Sequence, residues 1–126
     1  MNSSIIKWVD SLMFWRMDRN ITQPSGKFFD MVKEEIYEYA ESETEHDRVD
    51  AIADIIVLSA NELALEGYDI DKVMDEVVKE ISSRVQDPEQ EEAWDLGLRL
   101  NEKWMKSVLP EHKNLWYQAD YSKCKL

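Results

Sequence analysis

The chain has 126 residues and carries 27 Asp and Glu against 15 Lys and Arg, a formal charge of −12. That balance excludes a nucleic-acid backbone binder and a protein that docks on anionic membrane surfaces. Three glycines, three prolines, abundant Glu, Leu, Ala, Lys and Met, and no alternating strand pattern predict one all-α domain over 1–126. Its expected form is a compact helical bundle of about four core helices plus a C-terminal helix and an aromatic tail. The single cysteine, Cys124, leaves no intrachain disulfide framework. There is no basic segment leading into an apolar signal core and no run of transmembrane length, so the cytoplasm is the expected compartment.

Residues 5–18 place Ile5, Trp8, Val9, Leu12 and Trp15 or Arg16 at helical intervals. Trp8 and Trp15 are seven apart and share a stripe. Core packing explains both, while Trp15 is also suited to stacking on a planar ligand. In the connection over 20–27, Pro24, Ser25 and Gly26 interrupt helix formation, with Ser25 a candidate N-cap for the next helix. Asn20, Gln23 and Lys27 offer hydrogen-bonding groups there, although most such residues simply face water.

A helix is expected from Gly26 to Ser42, with Phe28, Met31, Val32, Ile36 and Tyr39 on its buried side. Glu34 and Glu38 are four apart and Glu35 and Glu38 three apart, so their side chains share one side. After a short polar break, Thr44 opens a second helix with Asp47 in a capping position, and the helix reads from Asp47 to about Glu66. Asp47, Asp50 and Asp54 form its acidic row, and Ile52, Ile55, Ile56 and Leu58 supply apolar positions between the two helices. Gly67 is the expected stop. Antiparallel packing sets the rows face to face, where they repel unless a cation lies between them. Mg²⁺ or Mn²⁺ suits carboxylate oxygens. Two solvated acidic faces are the plainer alternative. Asp54, closest to the apolar run, has the greatest need of a partner. Asn61, two turns on, suits either a ligand's polar edge or a hydrogen bond between helices.

The next helix begins near Asp69 or Asp71 and ends near Ser83 or Arg84, with Ile70, Val73, Met74, Val77 and Ile81 in clean helical period. Its cations, Lys72, Lys79 and Arg84, either serve an anionic ligand or pair locally with Glu76 and Glu80. Asp87, Pro88 and Gln90 are a helix start, and that helix is expected to run to about Ser107. Residues 108–126, with Trp116, Tyr117 and Tyr121, read as a docked tail or short helix. Nowhere is there a Gly-rich phosphate loop, a Cys/His cluster or a nucleophile–His–acid arrangement.

The run EEIYE at 34–38, the polar break, and VDAIADIIVLSANEL at 49–63 together resemble the MazG-like all-α nucleoside triphosphate pyrophosphohydrolases. That family carries Glu-Glu-x-x-Glu on one helix and an acidic pair, often Glu-x-x-Asp, on the next, and binds Mg²⁺ between them. Glu34, Glu35 and Glu38 match the first signature, and Asp54 matches the last acid of the second. The position three residues before Asp54 is Ala51 where the family has Glu, and Asp50 is the natural substitute. The resemblance spans about 8–84 and leaves 87–126 unaddressed. It implies Mg²⁺-dependent hydrolysis of a nucleoside triphosphate, in the first instance a deoxynucleotide, to the monophosphate and pyrophosphate. Mn²⁺ would be an acceptable substitute. The metal ligands it implies are Glu35, Glu38, Asp50 and Asp54. Glu34 or Glu38 would hold the attacking water, and Lys79 and Arg84 would neutralise phosphate charge. Trp15, Lys27 and Asn61 would contact substrate, and the family's assembly implies a homo-oligomer, a dimer or tetramer. A catalytically inactive nucleotide binder and a purely structural helical module are the alternatives.

Overall fold

The computed structural model describes residues 7–82 and 117–126. Arg84, the helix expected over 87–107 and most of the aromatic tail lie outside the described residues. Four α-helices succeed one another in order: α1 (Trp8–Asp18), α2 (Phe28–Glu41), α3 (Glu45–Leu65) and α4 (Ile70–Ser82). Among the described residues these are accompanied by a 3₁₀ turn at Tyr121–Cys124 and an isolated antiparallel bridge between Tyr68 and Lys125. The chain is therefore all-α, with no strand among the described residues. None of these helices is long and apolar enough to cross a membrane.

The described residues fall in two compact units, one within Met1–Ile70 joined by Lys125–Leu126, the other within Asp71–Cys124. In the first unit α3 is the common partner, packing against α2 and α1. Ser42, Glu43 and Thr44 turn α2 back into α3, and the Thr44 hydroxyl accepts the Asp47 amide at 3.1 Å. Asp47 thus sits at the third helical position, inside a helix that starts at Glu45. Ser25 does not cap α2. Its hydroxyl accepts the Lys27 amide at 3.1 Å, and Lys27 is the residue at the helix boundary.

Two helices end in the same way. After α3, Gly67 takes φ +93°, its amide bonds Ala64 O, and the Tyr68 amide reaches back to Leu63 O. After α1, Asn20 takes φ 54°, its amide bonds Met17 O, and the Ile21 amide bonds Arg16 O. Both are paired reversals that satisfy the last helical carbonyls through a left-handed residue.

The interior of the first unit differs from the apolar seam expected between α2 and α3. Ala51 and Ala60 are its buried apolar residues, while Phe28, Met31, Val32, Ile55 and Leu58 are half-buried. Ile36, Tyr39, Ile52 and Ile56, expected inside, are exposed, as are Trp8 and Trp15 on α1. Glu35 and Asp54 are half-buried alongside Ile55, while the other isoleucines of α2 and α3 stay exposed.

In the second unit α4 buries Val73 and Glu76, three apart on one face. The turn at Tyr121–Cys124 buries Cys124 completely.

Candidate metal centre

Glu35 and Glu38 come from the same side of α2 and Asp54 from α3, and each offers a carboxylate oxygen within 4.8 Å of the others. Glu35 Oε2 is buried and has no hydrogen-bond partner among the described residues. Burial, then the hydrogen bond to and the charge of Glu38, then Asp54 and Glu34, push the Glu35 carboxyl up to about 7. The side chain is held at an interhelical position where its charged form is disfavoured from several directions. A divalent cation removes that penalty, and a set of three carboxylates matches the oxygen preference of Mg²⁺ or Mn²⁺. The orphaned buried oxygen is the particular reason the residues fit such an ion.

Of the other residues expected here, Asp50 is exposed and lies outside the group of three. Glu34 is also exposed and outside the group, yet close enough to raise Glu35 electrostatically. Ala51 is 2 % exposed, at a position of α3 taken up by packing. The geometry therefore draws two carboxylates from α2 and one from α3.

An apolar cavity of about 200 Å³ lies in the same unit, lined by Trp15, Arg16, Ile21, Gln23, Ser25, Met31, Leu58, Asn61, Glu62 and Leu65. Met31 precedes Glu35 by four residues and Leu58 comes four residues after Asp54, so this cavity is one helical turn from the carboxylates on both helices. A second cavity, of about 350 Å³, is lined by Ser11, Leu12, Trp15, Val57 and Asn61. Trp15 and Asn61, both expected to meet a ligand, border the two. Trp15 is 43 % exposed and carries the Arg19 guanidinium 4.5 Å from its ring centre.

Arg16 is a residue to which the sequence assigns no role in advance. It is 9 % exposed, and its Nη1 donates to Asn61 Oδ1 at 2.6 Å. Burial lowers its affinity for a proton, but a guanidinium stays charged. Its register, four residues after Leu12 on the apolar stripe of α1, was the available signal. Lys27 is exposed at the start of α2.

In the second unit Lys79 lies 3.4 Å from Glu76 Oε2, the local pairing that was one of its two expected roles. Glu76 is 2 % exposed and gathers the C-terminal residues. Its Oε1 accepts from the Tyr117 hydroxyl, from the Asp120 amide at 3.0 Å and from Lys123 Nζ at 3.4 Å. The Tyr117 and Asp120 hydrogen bonds, with help from the two lysines and against the effect of burial, hold its carboxyl down to about 2. No family model, no curated protein and no solved structure matches the chain.

Proposed function

We propose that the first unit is a MazG-like, Mg²⁺-dependent nucleoside triphosphate pyrophosphohydrolase that releases the monophosphate and pyrophosphate. The observation that carries the reading is the Glu35–Glu38–Asp54 group, with its orphaned buried oxygen, one turn from an apolar cavity. Glu35, Glu38 and Asp54 hold the cation, which supplies charge neutralisation and alignment for phosphate oxygens. Glu34, outside the ligand group but beside it, takes the proton of the attacking water. The water oxygen bonds the α-phosphorus, the bond to the bridging oxygen breaks, and pyrophosphate leaves with the electron pair. Trp15 and Asn61 meet the nucleoside at the cavity. Lys79 belongs to the second unit, where it pairs with Glu76, and Arg84 lies outside the described residues, so neither enters this proposal. This chemistry belongs in the cytoplasm, where nucleotides and Mg²⁺ meet, and the free thiol of Cys124 suits a reducing compartment. Exposed Ile36, Val49, Ile52 and Ile56 on α2 and α3 support assembly as a homo-oligomer, a dimer or tetramer.

A second reading, a metal-dependent nucleotide binder without turnover, is favoured by one feature. With Ala51 buried and Asp50 exposed, α3 contributes a single acid to the group. Pyrophosphate release from a panel of standard and modified dNTPs and NTPs, with Mg²⁺, Mn²⁺ or EDTA, separates the two. The hydrolase reading expects metal-dependent release with the matching monophosphate, lost in Glu38→Gln while helix content is kept. Asp50→Asn is expected to leave the metal dependence unchanged. Silence across the panel from folded, metal-loaded protein selects the binder.

A further inference from the structure

The polar groups that Arg16 and Asn61 bring to the 200 Å³ cavity are of one kind. A guanidinium is a donor only, so the oxygen of the Asn61 amide is the atom that must face it, as the 2.6 Å bond has it. That fixes the amide, and its nitrogen then presents two N–H groups that have no partner among the described residues. Arg16, nine-tenths buried, likewise has no carboxylate at ion-pair distance among the described residues. The remaining Arg16 nitrogens and the Asn61 amide nitrogen are not sealed in the interior, and both residues line the cavity, where a ligand acceptor can meet them. A phosphate is the wrong occupant, because the walls are apolar and Glu62 lines the same cavity.

We infer that this cavity selects nucleobases by the group on the edge remote from the sugar, accepting a carbonyl and rejecting an amine. The inference rests on the nucleotide reading proposed above. With the phosphates at the carboxylate group one turn away, the far edge of the base is the part that meets Arg16 and Asn61. Uracil, thymine and guanine place a carbonyl oxygen there. Cytosine and adenine place an amino group, which sets donor against donor at Arg16 and Asn61. On this inference the acceptors that also line the cavity, Gln23, Ser25 and Glu62, do not meet that edge. The substrates this assigns are uracil-, thymine- or guanine-bearing nucleotides. Arg16 is a specificity-determining residue, and Asn61 both holds it and adds donors of its own.

The test uses uncharged nucleosides on the full chain with EDTA present, so that neither metal nor turnover enters. Binding is monitored by NMR at the Trp15 indole and the Asn61 side-chain amide. Deoxyuridine, thymidine or deoxyguanosine should bind roughly tenfold or more tightly than deoxycytidine and deoxyadenosine, the discrimination typical of one good donor–acceptor match. Arg16→Met, which exchanges a buried charge for an apolar chain of similar length, should erase the preference. Asn61→Asp, which trades amide donors for acceptors, should shift it toward the amino bases, a reversal that a merely structural role would not produce. Equal affinities, an amino-base preference in the unaltered chain, a preference unmoved by both variants, or no saturable binding overturns the inference. Pyrophosphate release is measured separately. Release without base preference defeats this inference alone, and base preference without release defeats the hydrolase reading alone.

Discussion

Glu35 and Glu76 are both acids at packed positions, and their surroundings push them in opposite directions. Glu76 accepts bonds from Tyr117, Asp120, Lys123 and Lys79, so its charged form is favoured. Its contribution to stability is present above the unfolded value near 4.5 and is lost as pH falls toward about 2. Glu35 has two acids beside it and one unpaired buried oxygen, so its neutral form is favoured. Here the sign reverses. The stability it gives the metal-free chain is full below about 4.5 and is lost as pH rises through about 7. Glu35→Gln should therefore melt higher than the unaltered chain at about pH 8 in EDTA, and the two melting temperatures should converge near pH 5. A variant that melts lower at both pH values would show that the carboxylate is satisfied by something other than a cation. Helical spacing puts Glu34, Glu35 and Glu38 in one row and Asp47, Asp50 and Asp54 in another. The resemblance narrows these to Glu35, Glu38, Asp50 and Asp54, of which Asp50 lies outside the group of three. The Arg16–Asn61 bond and the Tyr117 bond to Glu76 were not legible in the sequence, although the local Lys79–Glu76 pair was. The partners in those two bonds lie 45 and 41 positions apart, and no local pattern announces a pairing of that range.

Helix ends were legible to the extent that one residue type dictates one conformation. Gly67 at φ +93° closes α3 as expected of a glycine placed after a long apolar helix. No atom lies within 4 Å of the place a Cβ would take, so Gly67→Ala carries backbone strain without a clash. Its expected cost is about 1 kcal/mol, the penalty of a left-handed L-residue. Thr44→Ala removes the hydroxyl that accepts the Asp47 amide and should also cost about 1 kcal/mol. Each should lower the urea midpoint with an unchanged m-value, and an unchanged midpoint for either would remove that cap from the account. Ser25 was misread because a serine before a helix can cap it or close a turn of its own, and Gly26 at φ +77° turns the chain between Ser25 and the helix. The α2–α3 seam was legible in part. Val32, Ile55 and Leu58 are half-buried as expected, whereas Ile36, Tyr39, Ile52 and Ile56 are exposed and the residues that α3 buries are the small Ala51 and Ala60.

Across the whole molecule, 27 acids against 15 bases make self-repulsion a general cost of folding, and the three-carboxylate group makes it a local one. The two respond differently to ions. Monovalent salt at about 0.1 M screens over roughly 10 Å, enough to quieten charges spread over the surface. It does less for oxygens within 4.8 Å of one another where Glu35 and Asp54 are half-buried and Glu38 is exposed, and where a proton or a bound ion offsets the charge directly. NaCl should therefore raise the melting temperature of the unaltered chain and of Asp54→Asn by similar amounts. MgCl₂ at matched ionic strength should add a further increment to the unaltered chain alone. At a free cation concentration one hundred times the dissociation constant, that increment corresponds to about 2.7 kcal/mol. Raising the pH from about 6 to about 8 should strengthen the Mg²⁺ response, because a cation competes with the proton that Glu35 otherwise keeps up to about 7. An equal Mg²⁺ response in Asp54→Asn would mean that the ion acts only on the diffuse acidic surface. The interhelical carboxylates would then be a strained seam and no metal centre.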